Sequence, residues 1–277
     1  MDSLVSTEWL AAHLGEADLA IVDSSWFMHG TGRDAAAEFR DAHIPGARFL
    51  DIDAVSDRSA SSPHMLPSAA EFASAMERLG IGSGDGIVVY DNSPLRSAAR
   101  GWFMFRHFGA EQAAILDGGL QKWIAEGRPT ESGEPVPRSA RWTAEIRRND
   151  VVDKAGLLGP AAPLVLDARG KGRFEGTEPE PRPGLGAGHI PGARNLPYAT
   201  LYNADGTLRP VAALRRLFDE AGISPEQPFA ASCGTGVTAN SLIFAAHLIG
   251  NDDARLYDGS WSEWGADPAT PKVLGPA

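Results

Sequence analysis

The chain carries the same pattern twice. "AHIPGAR" ends at Arg48 and "GHIPGAR" ends at Arg194, a shift of 146 positions. "AIVDSSW" at 20–26 pairs with "LVLDARG" at 164–170, a shift of 144. "ILDGGLQKW" at 115–123 pairs with "LYDGSWSEW" at 256–264, a shift of 141. A near-constant shift at three landmarks means two copies of one domain, and 277 residues is long enough for two. Whatever one copy folds into, the other must fold into as well.

Within each copy, short apolar runs alternate with amphipathic stretches. Strands are expected at 19–23, 87–91 and 113–117, with second-copy partners at 163–168, 228–232 and 254–258. Runs this apolar suit strands buried on both faces of a parallel sheet. Helices are expected between them. "PSAAEFASAMERLG" has Ser68 and Glu71 in capping-box spacing and Gly80 as its stop. "ALRRLFDEAG" stops at Gly222 in the same way, and 97–109 and 239–250 are further helix candidates. Alternating β and α elements predict α/β domains, each a mainly parallel sheet with helices on both faces. The Pro-, Ser- and charge-rich stretch from 127 to 148 reads as the connection. It sets a first domain at 1–130, a linker at 131–148 and a second domain at 149–277. The Gly/Pro-rich stretch 169–194 is a functional loop or a flexible insertion.

Composition narrows the function. The hydrophobic fraction of 43% and charged fraction of 22% are those of a globular protein. The N-terminal residues lack the basic-then-apolar pattern of a secretory leader, and no run is long and apolar enough to span a bilayer. A single cysteine excludes an internal disulfide framework and a multi-cysteine metal site, and it suits a reducing cytoplasm. The net charge of −11 argues against nucleic acid or an anionic membrane as partner. An anionic substrate must then be drawn in by a few local arginines or helix ends. No His/Asp/Glu cluster has metal spacing and no phosphate-binding glycine motif is in context, so neither metal nor organic cofactor is expected.

The lone cysteine sits in "FAASCGTGVTANSLIFAAHLIG", 229–250. Cys233 stands where an expected strand ends and a helix is about to start. Strand carboxyl ends are where ligands bind in α/β sheets, and a helix N-terminus offers free amides to an anion. Gly234 and Gly236 let the backbone curl so that amides point inward. Such a cradle favours a thiolate, and equally the outer sulfur of a persulfide. The competing reading is a buried cysteine acting as a small hydrophobe.

"CGTGVTA", 233–239, resembles the active-site loop of the tandem rhodanese-type sulfurtransferases, specifically of those that use 3-mercaptopyruvate. The resemblance extends through "HIPGARFLDID" (43–53), "HMLP" (64–67), "GRFEGTEPEPRPG" (172–184), "GHIPGARN" (188–195) and "YDGSW" (257–261). It implies two rhodanese-like domains, the nucleophile in the second and a degenerate first. Aligned on Gly109 and Gly250, Asn92 stands opposite Cys233. Thiosulfate-using relatives carry basic residues directly after the cysteine, whereas Gly234, Thr235 and Gly236 are small and neutral. Phosphatase relatives need an arginine six positions after the cysteine, where this chain has Ala239.

The resemblance also implies roles. Cys233 is the nucleophile and Thr235 the hydroxyl beside it, grouped with Asp53. His64 lines the same site, and both first-copy residues would reach across the domain interface. Arg173 and Arg182 clamp the substrate's carboxylate and ketone, for which guanidinium forks are suited. Gly234, Gly236, Val237 and Thr238 supply the rest of the binding loop. Without the resemblance, the two arginines read as loop cations balancing Glu175, Glu178 and Glu180. His43 and His189 recur in both copies and are expected to maintain the fold. The implied reaction moves sulfur from 3-mercaptopyruvate through a Cys233 persulfide to an external thiol such as thioredoxin, or to cyanide, and releases pyruvate. Thiosulfate as donor is the nearest alternative, and a non-catalytic binding or redox-sensing module the next.

Overall fold

Ten parallel strands form two five-stranded sheets in a computed structural model that describes residues 1–146, 149–224 and 226–277. In the first sheet the elements run β1 (Leu4–Val5), α1 (Thr7–Ala12), β2 (Leu19–Asp23), α2 (Ala35–Asp41), β3 (Arg48–Phe49), α3 (Ala69–Leu79), β4 (Gly86–Tyr90), α4 (Ala98–His107), β5 (Ala113–Leu116) and α5 (Gly119–Ala125). The strand order is β1-β5-β4-β2-β3. The second series repeats it: β6 (Val151–Val152), α6 (Lys154–Leu158), β7 (Leu164–Asp167), α7 (Lys171–Glu175), β8 (Arg194–Asn195), α8 (Val211–Glu220), β9 (Phe229–Ser232), α9 (Ala239–Leu248), β10 (Arg255–Tyr257) and α10 (Ser260–Trp264). Its order is β6-β10-β9-β7-β8, the same permutation. One compact unit comprises Met1–Ser56, Leu66–Arg148 and Asn203–Leu208; the other comprises Asp57–Met65, Asn149–Tyr202 and Arg209–Ala277.

The six longer strands lie where their apolar runs predict them. Residues 87–90 of β4 and 229–231 of β9 have no exposed surface, as central strands covered on both faces must. The two-residue strands β1, β3, β6 and β8 were not expected, because two residues carry no periodicity. In α3 the Ser68–Glu71 capping box forms and Gly80 takes the left-handed conformation at φ +74°. No helix among the described residues is long and apolar enough to cross a membrane.

The two repeated histidines do the same work in each unit. His43 Nδ1 bonds the Phe39 carbonyl at 2.7 Å and the ring stacks on Phe39. His189 Nδ1 bonds the Phe174 carbonyl at 2.9 Å and stacks on Phe174. Each backbone then forms an antiparallel bridge, His43 to Glu131 and His189 to Val273. The connecting stretch is held just as firmly. Arg138 donates to the Gly80 and Ala17 carbonyls and pairs with Asp85. Trp142 is buried and its indole donates to the Phe108 carbonyl at 3.2 Å. Arg147 and Arg148, the last residues of that stretch, lie outside the described residues.

Asp23 and Asp167 end equivalent strands, and each accepts the amide two residues on. Their surroundings differ. Asp167 faces Arg169, whereas the counterpart of Arg169 in the first copy is Ser25. Burial, with Asp91 nearby, pushes the Asp23 carboxyl up to about 6 despite the bonds from Ser25. A carboxyl raised in the folded state lends stability at low pH, and loses it as pH rises through the folded value. The shift is worth about 3 kcal/mol. Asp23→Asn cannot titrate. Its stability relative to the parent, from urea unfolding, is expected to rise by up to about 3 kcal/mol between about pH 4 and about pH 7. A constant difference across that range would refute this origin.

Candidate active site

Strand β9 ends at Ser232, so Cys233 emerges at the carboxyl edge of the second sheet. It is 2% exposed and its thiol is free. The following turn needs a glycine at 236. Gly236 has φ +75°, and a Cβ there would stand 2.7 Å from the Asp258 carbonyl oxygen. The "YDGSW" segment holds the turn from the side. The Cys233 amide donates to Ser260 Oγ at 3.1 Å, and Ser260 Oγ donates to the Tyr257 carbonyl. The amides of Trp261 and Ser262 donate to the carbonyls of Cys233 and Gly234. Asn240 Nδ2 takes up the Gly236 and Val237 carbonyls.

The carbonyls of Cys233, Gly234, Gly236 and Val237 are therefore engaged while several of the turn's amides are not. Among the described residues, the amides of Gly234, Thr235, Val237 and Thr238 donate to no protein acceptor. They lead into α9, whose N-cap Thr238 makes no side-chain capping bond. A row of free amides ahead of a helix N-terminus is an anion cradle.

The degenerate copy closes its own cradle. Asp91, one residue before Asn92, accepts the Ser93 amide at 3.0 Å and the Ala98 amide at 2.6 Å. The counterpart of Asp91 in the second copy is Ser232, whose buried Oγ has no partner among the described residues. The first copy thus lacks a nucleophile and also fills its loop with its own carboxylate.

His64 belongs to the second unit although it lies in the first repeat of the sequence. Its backbone is left-handed at φ +61°, uncommon for a residue with a side chain, and it is 4% exposed. His64 Nδ1 lies 2.8 Å from Thr235 Oγ1, and the tautomer decides which of them donates. Two residues 171 positions apart are thus joined beside the nucleophile. Asp53 belongs to the first unit, where Trp26 Nε1 donates to its Oδ2 at 3.0 Å.

Arg173 comes from α7, the short helix formed by "KGRFE". A Cβ built on Gly234 would stand 3.1 Å from Arg173 Nη2, so the guanidinium lies against the residue after the nucleophile. Glu180 holds it there: Nε donates to Oε1 at 3.2 Å and Nη2 to Oε2 at 2.6 Å. Arg182 is half-buried two residues farther along the same loop. In the sequence Glu180 groups with Glu175 and Glu178 as a balancing acid, and Arg169 does not stand out. The structure separates them. The Glu180 side chain is 4% exposed and also accepts from Arg169 Nη1 at 2.8 Å. Arg169 is fully buried, forks onto Asp167, donates to the Gly188 carbonyl and lies 4.2 Å over the Trp261 ring. Burial pulls its pKa down, but the Asp167 and Glu180 carboxylates more than offset this and it stands above the usual arginine value. The only local hint was an arginine two residues past a strand-ending aspartate.

Comparisons with known proteins identify the family. The model of the rhodanese-like domain matches twice, at residues 6–126 and 152–267. The human 3-mercaptopyruvate sulfurtransferase is 41% identical over 95% of this chain and 91% of its own length. The Arabidopsis thaliana mitochondrial thiosulfate/3-mercaptopyruvate sulfurtransferase 1 is 40% identical over 98% of this chain and 78% of its own. The crystal structure of SseA from Escherichia coli, described with the rhodanese fold and catalytic mechanism of the 3-mercaptopyruvate enzymes, superposes with a TM-score of 0.86. It is 36% identical and covers 95% of this chain and 100% of that one. Two rhodanese-like matches, relatives alike over nearly the whole length and a free cysteine at the loop between β9 and α9 lead to one conclusion: the chain belongs to the tandem-domain rhodanese family of 3-mercaptopyruvate sulfurtransferases.

Proposed function

We propose that this chain is a sulfurtransferase that takes the sulfur of 3-mercaptopyruvate onto Cys233 and passes it to an external thiol, or to cyanide in the test tube. The observation that carries the reading is the cysteine loop: a buried thiol at a strand end, four unengaged amides after it, and the Arg173 guanidinium alongside. The Cys233 thiolate attacks the substrate sulfur, an S–S bond forms, and the carbon–sulfur bond breaks. Its electron pair leaves with the three-carbon fragment as the enolate of pyruvate, which takes up a proton and departs. Arg173 and Arg182 orient the carboxylate and ketone. Thr235 and His64 form the proton path to the leaving fragment. The free amides of Gly234, Thr235, Val237 and Thr238 hold the charge on the outer persulfide sulfur.

In the second half-reaction an acceptor thiolate attacks that outer sulfur and Cys233 leaves as thiolate. The chain has no second cysteine to resolve the persulfide, so the acceptor is external, and a dithiol protein of the thioredoxin kind fits the role. A lone thiol that must return to the reduced state fits the cytoplasm. Incubation with 3-mercaptopyruvate is expected to add one sulfur to the intact mass and release one pyruvate per chain before an acceptor is supplied. Absence of pyruvate overturns the reading. Thiosulfate assayed in parallel separates the nearest alternative.

A further inference from the structure

We propose that Glu180 sets the charge preference of the site, making it favour a monoanionic sulfur donor over a dianionic one. This deepens the reading above and rests on Arg173 facing the substrate.

Asp167, Arg169, Glu180 and Arg173 form one contact chain of alternating charge, and its members sum to zero. Arg173 reaches the cysteine loop already balanced by a carboxylate that is almost wholly buried. Two of its N–H groups are spent on Glu180; the remainder can still donate to a substrate carboxylate. What Glu180 removes is the long-range part of the attraction. A second buried carboxylate, Asp258, lies beside Gly236 at the other edge of the loop. Attraction to an unbalanced cation is about twice as large for a dianion as for a monoanion, and a buried counter-charge cancels most of that advantage. Directed hydrogen bonds do not scale this way, so they serve both anions alike. Selection against the dianion is thus a subtraction made by Glu180, in addition to the absence of basic residues in the loop.

A merely structural Glu180 would weaken both anions equally, so the readout is a ratio. In the Cys233→Ser protein, which does not turn over, the dissociation constants of pyruvate and thiosulfate are measured by titration calorimetry at fixed ionic strength. Glu180→Gln keeps an acceptor oxygen and removes the charge. It is expected to strengthen thiosulfate relative to pyruvate by about tenfold or more. Arg173→Gln should move the ratio toward pyruvate by about threefold or more, and Arg173→Gln with Glu180→Gln should return it close to the parent. A ratio unchanged within about twofold in Glu180→Gln overturns the proposal, as does a double variant that keeps the shift. Failure of the parent protein to bind either anion overturns it too. If Glu180→Gln does not fold, the Arg173→Gln arm decides alone, no shift there being fatal. These are binding measurements. A parent chain that releases no pyruvate from 3-mercaptopyruvate therefore defeats the assigned reaction, not the charge preference.

Discussion

Cys233→Ser is expected to abolish pyruvate release from 3-mercaptopyruvate, a loss of about 10⁴-fold or more, while leaving the fold intact. The reason is chemical rather than steric. An oxygen nucleophile cannot accept the substrate's sulfur to form a persulfide, and a hydroxyl is far harder to ionise than a thiol. The exchange is nearly isosteric. The bonds that hold the loop here are made by the backbone of Cys233, its amide donating to Ser260 Oγ and its carbonyl accepting from the Trp261 amide, and neither uses the thiol. Urea unfolding should therefore match the parent, and intact mass after exposure to substrate should show no added sulfur. Residual turnover within about tenfold of the parent would move the nucleophile elsewhere, and this chain offers no other thiol.

Arg169→Met should destabilise the protein by about 3–5 kcal/mol without touching the nucleophile. Arg169 has no exposed side-chain surface, and its loss leaves the Asp167 and Glu180 carboxylates buried with one partner fewer each. The Gly188 carbonyl loses a donor and Trp261 loses the guanidinium over its ring. Methionine restores much of the volume, so the cost is electrostatic rather than a cavity. The equivalent position in the first copy shows a different solution: Ser25 stands there, and burial takes the Asp23 pKa up to about 6 instead. Replacing Asp167 and Glu180 by their amides in the Arg169→Met background should recover part of the loss, because the uncompensated charges go with them. A urea-derived loss below about 1 kcal/mol would mean that water already screens the cluster.

Much of the fold was legible because its signals are local. A parallel strand buried on both faces must be apolar along its whole length, and the six longer strands announced themselves in this way. The Ser68–Glu71 box and Gly80 mark the ends of α3 by chemistry confined to a dozen residues. The duplication is visible without any structure, and it located the missing nucleophile at Asn92. The edge strands of two residues were not legible, since their pairing is imposed by the neighbouring strand. Nor was the anchoring of 131–146, which hangs on Arg138 and Trp142 reaching distant carbonyls.

The candidate site divides along the same line. The residues from Ser232 to Ala239 determined by themselves that a thiol would stand between a strand and a helix, with a glycine, Gly236, where the turn takes positive φ. Only tertiary structure decided that His64 meets Thr235, because segment 57–65 packs with the second unit. It also decided that, of three nearby glutamates, Glu180 is the one buried between Arg169 and Arg173. Asp91 and Ser232, alike as strand-end polar residues, were told apart in the same way, one filling its loop and the other leaving it open. Strand and turn preferences act over a few residues and can be read in order. Side-chain pairing depends on which loops the packed sheets bring together and which charges they strip of water, and neither is written in any short stretch of chain.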